Sequence, residues 1–135
     1  MQVFISHSSE TRNFVKVLSA ELKRQGWDVW NDEEILPGDN WAENVWKGLE
    51  SSQAMIALLT PAALSSSFVL KEIEYALGKK SFNKRLIPVI LGSEGKISPE
   101  KLPWILKHLN VINLPPEGRP EDGINRITEA LQAVA

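Results

Sequence analysis

The sequence predicts a three-layer α/β sandwich, with one parallel sheet held between two layers of helices. Three observations predict it. Short apolar runs alternate with amphipathic stretches from one end of the chain to the other. The run Ala54–Leu59 is apolar without alternation, so both of its faces must be covered, as in a central parallel strand. Each apolar run is also separated from the next by enough chain for a helix, which suits right-handed crossovers.

The elements follow in order. Val3, Phe4 and Ile5 form a first strand that stops at Ser6-His7-Ser8-Ser9. Phe14, Val15, Leu18 and Leu22 recur at helical spacing, with Ser8 or Ser9 as the expected N-cap and Gly26 as the stop. Trp27–Trp30 reads as a second strand. Asn31–Asn40 is a loop in which Pro37-Gly38 marks a turn, and Asp39 or Asn40 is placed to cap a helix carrying Trp41, Val45 and Leu49 on one face. Ala54–Leu59 ends at Thr60-Pro61. A third helix begins near Ser66 or Ser67 and turns Val69, Ile73, Ala76 and Leu77 inward. Leu86–Leu91 is a fourth strand despite Pro88, which cannot donate to a ladder. A loop with Gly92, Gly95 and Pro99 leads to a short helical stretch, Leu102–Leu109. Val111–Leu114 is a weak fifth strand, and Gly123–Ala133 the last helix, with Ile124, Ile127 and Leu131 on one side.

The 135 residues suit one domain, 1–135, and 43% of them are hydrophobic, enough for a core. The formal net charge of −2, with scattered lysines and arginines, gives no basis for a nucleic-acid or membrane-surface partner. The absence of cysteine excludes disulfides and thiolate metal sites and fits a reducing, cytoplasmic compartment. No apolar run approaches the roughly 18 residues that span a bilayer, and the first residues lack the pattern of a signal peptide. The five tryptophans are expected in core or interface.

Ligands of such folds gather at the carboxyl ends of the strands, which draws attention to Ser6–Ser9, Asn31–Asp39 and Thr60–Glu72. A phosphoacceptor receiver would need acidic residues after the first strand and an aspartate ending the third; Ser6-His7 and Leu59-Thr60 stand there. A flavin-phosphate loop fails for want of glycine, and Glu10 would repel the phosphate. There is no P-loop. His108 has no neighbour at metal-ligand spacing and reads as surface; Glu33-Glu34 reads as a solvated loop, and Trp41 and Trp46 as packing.

At this point the chain resembles the TIR domain family. Val3-Phe4-Ile5-Ser6-His7-Ser8 is similar to its first box. Val29-Trp30-Asn31-Asp32 through Leu36-Pro37-Gly38-Asp39-Asn40-Trp41 is similar to its second, the BB loop. Ser66-Ser67-Phe68-Val69-Leu70-Lys71-Glu72 resembles the family's Ser-x-Trp-Cys-x-x-Glu segment, with Phe68 and Val69 in place of Trp and Cys. The resemblance implies a flavodoxin-like sandwich with strand order 2-1-3-4-5. Many family members hydrolyse NAD+, and their catalytic glutamate falls on Glu72. The resemblance further implies NAD+ contacts from Ser6, His7, Ser8, Ser66 and Phe68, and from Asp32 unless Asn31 holds that slot. NAD+ is then a substrate, with no cofactor and no metal. The family's habit of lending one copy's BB loop to the next implies self-association through Ile35–Trp41.

Glu72 is expected in the first turn of its helix, where the macrodipole favours an anion, with Phe68 one turn earlier on the same face. The plain alternative makes Glu72 an ordinary helix glutamate and Phe68 a core residue. His7 is either a general base or an aromatic packed at the pocket rim. Two functions remain: an NAD+ glycohydrolase or cyclase in immune or cell-death signalling, or a non-enzymatic adaptor that acts by TIR–TIR association. Further domains after Ala135 are compatible with either.

Overall fold

A computed structural model describes residues 1–30, 41–78, 85–92, 95–97, 100–109, 111–115 and 119–134. The five strands are β1 (Gln2–Ser6), β2 (Asp28–Trp30), β3 (Ala54–Leu59), β4 (Leu86–Leu91) and β5 (Ile112–Leu114). They form one sheet in the order β2-β1-β3-β4-β5, with every neighbouring pair parallel. The helices are α1 (Arg12–Arg24), α2 (Trp41–Ser51), α3 (Pro61–Leu64), α4 (Ser67–Gly78) and α5 (Pro120–Val134). The predicted flavodoxin-like sandwich and strand order hold.

Alternation along each strand splits the core into two faces. Val3, Ile5, Ala54, Ile56 and Leu58 pack with Val15, Leu18 and Leu22 of α1 and Ile124, Ile127 and Leu131 of α5. Phe4, Met55, Ala57 and Leu59 pack with Val45 and Leu49 of α2 and Val69, Ile73 and Ala76 of α4. All six residues of β3 are buried. The unbroken apolar run thus has its explanation: covered on both faces and paired on both edges, β3 has no solvent side to make polar.

Several local expectations need correction. Neither Ser8 nor Ser9 caps α1 with its side chain. A 3-10 turn, Ser9–Thr11, comes first, and Thr11 Oγ1 donates instead to the Ser8 carbonyl at 2.9 Å. Gly26 does stop α1, with φ of +95° that favours glycine. The second strand starts one residue later than predicted, at Asp28. Between β3 and the predicted third helix lies α3, which the sequence reading missed; Thr60 Oγ1 caps it by accepting from Ala63 N at 3.0 Å, with Pro61 at its first position. Leu77 is 37% exposed rather than turned inward. Leu102–Leu109 narrows to a 3-10 helix, Trp104–His108, and α5 begins three residues early at Pro120. Pro88 pairs with Ala57 of β3, while the ladder to β5 starts only at Val89, one residue past the missing donor. The Asp39 or Asn40 cap and the Trp41 side chain lie outside the described residues.

The tryptophans also depart from expectation. Of the four whose side chains are described, none is buried: Trp46 is 51% and Trp104 70% exposed, and Trp27 and Trp30 are half-buried. Trp30 stacks on Phe4 with ring centroids 4.8 Å apart and planes 8° from parallel. Gly48 of α2 lets that ring approach, because a Cβ there would stand 2.4 Å from it. Alanine gains about 1 kcal/mol of helix propensity over glycine. Overpacking costs about 1–3 kcal/mol, and the stacked ring has to move by most of a bond length. Gly48→Ala is therefore expected to lower the urea midpoint and weaken the near-UV circular dichroism of Trp30. An unchanged midpoint would show that the ring moves freely.

Candidate active site

β1 ends at Ser6, and the chain turns over the sheet through His7–Thr11. On the neighbouring strand, β3 ends at Leu59, and Thr60 starts α3. α4 then runs back past the same edge. These three segments and Trp30 enclose a cleft of about 410 Å³. Its position, beside the carboxyl ends of β1 and β3, is where the strand order reverses.

Glu72 lines this cleft, half-buried, and Ser6 Oγ donates to its Oε1 at 2.8 Å across 66 residues of sequence. Ser6 is itself 1% exposed, so the donor is fixed in the sheet. Glu72 is the sixth residue of α4, not in its first turn, and α4 has no acidic residue in its first turn at all. The helix dipole, which fades within that turn, is therefore not what fixes the carboxylate, and the Ser6 hydroxyl is one group that holds it. Phe68, one turn earlier, is 59% exposed and lines the cleft rather than the core.

His7 lines the cleft with its Nδ1 3.2 Å from the Ile5 carbonyl. That contact puts the proton of the neutral ring on Nδ1, so this nitrogen orients the ring and does not act as a base. Ser8 lines the cleft and donates to Glu10 Oε1 at 2.5 Å. Ser66 lines it too, and its Oγ accepts from Val69 N at 3.4 Å as a loose cap on α4. The structure thus gathers His7, Ser8, Ser66, Phe68 and Glu72 around one cavity, with Ser6 beneath Glu72. Asp32, Asn31 and the loop Ile35–Asn40 lie outside the described residues. Among the described residues no three His, Cys, Asp or Glu side chains converge on a metal site.

Glu10, Trp30 and Ser65 also line the cleft. The sequence points to the stretches that hold Trp30, Thr60 and Ser65 but names none of them, nor Glu10, as a site residue. Thr60 Oγ1 donates to Glu10 Oε1 at 2.6 Å, a contact between residues 50 positions apart that only the β1–β3 pairing creates. Trp30 carried one available signal, its place at the carboxyl end of β2, the edge strand beside β1.

A family model for the TIR domain matches residues 3–128. The chain belongs to the TIR domain family. This TIR domain is 31% identical over 90 residues to PdTIR, an NAD(+) hydrolase of Paracoccus denitrificans, a match covering 64% of the chain and 30% of that protein. It is 27% identical over 89 residues to BtTIR, a 2' cyclic ADP-D-ribose synthase of Bacteroides thetaiotaomicron, covering 64% and 31%. The TIR domain thus spans less than a third of the length of these relatives. Among solved structures, the TIR domain of the Toll-related receptor TRR-2 from Hydra magnipapillata superposes with a TM-score of 0.71 at 19% identity, over 96% of this chain and 97% of that one. At that identity the likeness is one of fold. No helix among the described residues is long and apolar enough to cross a membrane.

Proposed function

We propose that this TIR domain cleaves NAD+ at the bond between nicotinamide and ribose. The observation that carries the reading is the Glu72 carboxylate, held by Ser6 on the wall of a cleft at the reversal point of the sheet. The names of PdTIR and BtTIR support it.

The chemistry asks little of an acid. Nicotinamide leaves from NAD+ as a neutral molecule, taking the electron pair of the C1′–N bond. The ribose carbon becomes cationic as that bond lengthens, and a fixed anion beside it lowers the barrier. Glu72 supplies that anion. Phe68 walls the nicotinamide, and His7, Ser8, Ser66 and Asp32 supply contacts to the sugars. Water then adds at C1′ and loses a proton, which yields ADP-ribose; a hydroxyl of the substrate adding instead yields a cyclic product.

The test is incubation of concentrated protein with NAD+ and separation of the products. Nicotinamide released in equal amount with ADP-ribose or a cyclic isomer is expected. No release at any concentration leaves association without catalysis, the adaptor function. Ser6→Ala should lower kcat about tenfold or more with a smaller change in KM. It removes a hydrogen bond to a charged group, of the class worth about 1.5–3 kcal/mol.

The second copy enters through the loop Ile35–Trp41, which we propose packs against the cleft of a neighbour. Activity per molecule should then rise with protein concentration, and Trp41→Ala should flatten the rise. A specific activity independent of concentration would count against a shared site.

A further inference from the structure

The cleft holds a second carboxylate that the cleavage step leaves unused. Glu10 stands on the 3-10 turn after β1 and lines the same cleft as Glu72. Its Oε1 accepts from Thr60 Oγ1 at 2.6 Å and from Ser8 Oγ at 2.5 Å, and the two hydroxyls are 3.4 Å apart. Thr60 is 1% exposed and is tied in turn to the start of α3. Glu10 is thus clamped at the ends of β1 and β3, at the mouth of the crevice between them. Burial pushes its carboxyl up. The hydrogen bonds from Ser8, from Thr60 and from its own backbone amide, with the charge of His7, outweigh burial and hold it below the usual carboxylate range. It is an anion at neutral pH. Among the described residues that line the cleft, the acids are Glu10 and Glu72, and there is no lysine or arginine.

A cleft of that charge suits the cationic end of a dinucleotide and not its pyrophosphate. We propose that Glu10 is a specificity-determining residue: it senses the positive charge of the pyridinium ring, so that the cleft takes the oxidised dinucleotide and discriminates against the reduced one. The inference rests on the NAD+-cleaving reading. NAD+ and NADH share both sugars, the adenine and the pyrophosphate. They differ by one hydride on the nicotinamide ring, which removes the ring's charge. A hydrogen bond from Glu10 to a ribose hydroxyl would act on both forms alike, whereas a charge interaction acts on NAD+ alone.

The experiment compares affinities for NAD+ and NADH, by calorimetry at moderate salt, on Glu72→Gln protein and on the Glu72→Gln/Glu10→Gln double variant. The Glu72→Gln background allows binding to be read without turnover. Loss of Glu10's charge should weaken NAD+ about five- to tenfold, the scale of one partly screened charge pair. NADH should change by less than about twofold, because it lacks the charge being sensed. Glu10→Asp, which keeps the charge, should keep the preference for NAD+ in the same background, and this arm separates charge from any effect of the clamp on folding. Equal weakening of both ligands, or of neither, overturns the role of Glu10, while wild-type release of nicotinamide keeps the cleavage reading standing. A wild-type protein that neither binds NAD+ nor releases nicotinamide overturns both.

Discussion

Glu72→Gln is expected to abolish nicotinamide release, with a loss on the order of a hundredfold or more, typical of a removed electrostatic stabiliser. The substitution keeps the size of the side chain, and the amide oxygen still accepts from Ser6 in place of Oε1. What disappears is the negative charge beside the ribose carbon. The fold should hardly notice, because the carboxylate is half-buried and lies outside both apolar clusters. Glu74→Gln is the paired control. Two residues on, Glu74 is rotated by about 200° around α4, and it is exposed. It should keep wild-type turnover. A side-by-side assay of nicotinamide release, with melting curves for all three proteins, decides the matter. Wild-type turnover in Glu72→Gln would remove Glu72 from the chemistry, and equal losses in both variants would point to a general effect of charge.

The largest expected effect on stability is at Phe4. Its ring is 1% exposed, fills the face of the sheet under α2 and α4, and stacks on Trp30. Phe4→Ala removes the buried ring and leaves a cavity, at a cost of about 3–5 kcal/mol. Against a total stability of about 5–15 kcal/mol for a typical domain, that is a large share. At a urea slope of about 1–3 kcal/mol/M, the unfolding midpoint should fall by roughly 1 M or more. NAD+ binding should weaken as well, since Trp30 loses the surface that fixes its plane at the cleft. Phe4→Leu, which refills most of the space, should recover the greater part of the loss. A cost below about 1 kcal/mol would contradict this packing, since only sites that collapse fully escape the cavity term.

The sheet was the most legible part of the sequence, for a physical reason. In a parallel sheet covered on both faces, the strand pattern is simply apolar, and Ala54–Leu59 has the same bounds in sequence and structure. Glu72 was legible through the family's spacing from Ser66, but its turn in the helix was not. α4 begins at Ser67, where the sequence places it, and five residues on Glu72 is already past the first turn. What the sequence hid is α3, for which Thr60-Pro61, the end of a strand in the reading, is also the cap and first residue. The same proline signal was overlooked at Pro120, the first residue of α5. Exposure of Trp46 and Trp104 escaped the reading because hydrophobicity predicts burial only on average, and an edge contact such as Trp46 on Tyr75 needs the fold to bring two helices together. Glu10 was invisible as a site residue because its clamp is built from a strand end far away in sequence.

The all-parallel sheet has a consequence for how the chain reaches its native state. No strand can pair with the next through a tight turn; each must wait for a helix-length connection to close. The centre is the extreme case. β1 meets β3 only after Gln2 and Gln53, 51 positions apart, have come together, so its loop-closure entropy is lost before any ladder forms. Until β1 and β4 arrive, Ala54–Leu59 is a six-residue, uncharged, proline-free strand with both edges open, the kind of segment that pairs with copies of itself. Refolding yield should therefore fall with protein concentration, and a nascent chain emerging from the ribosome carries this hazard until Leu86–Leu91 has been made.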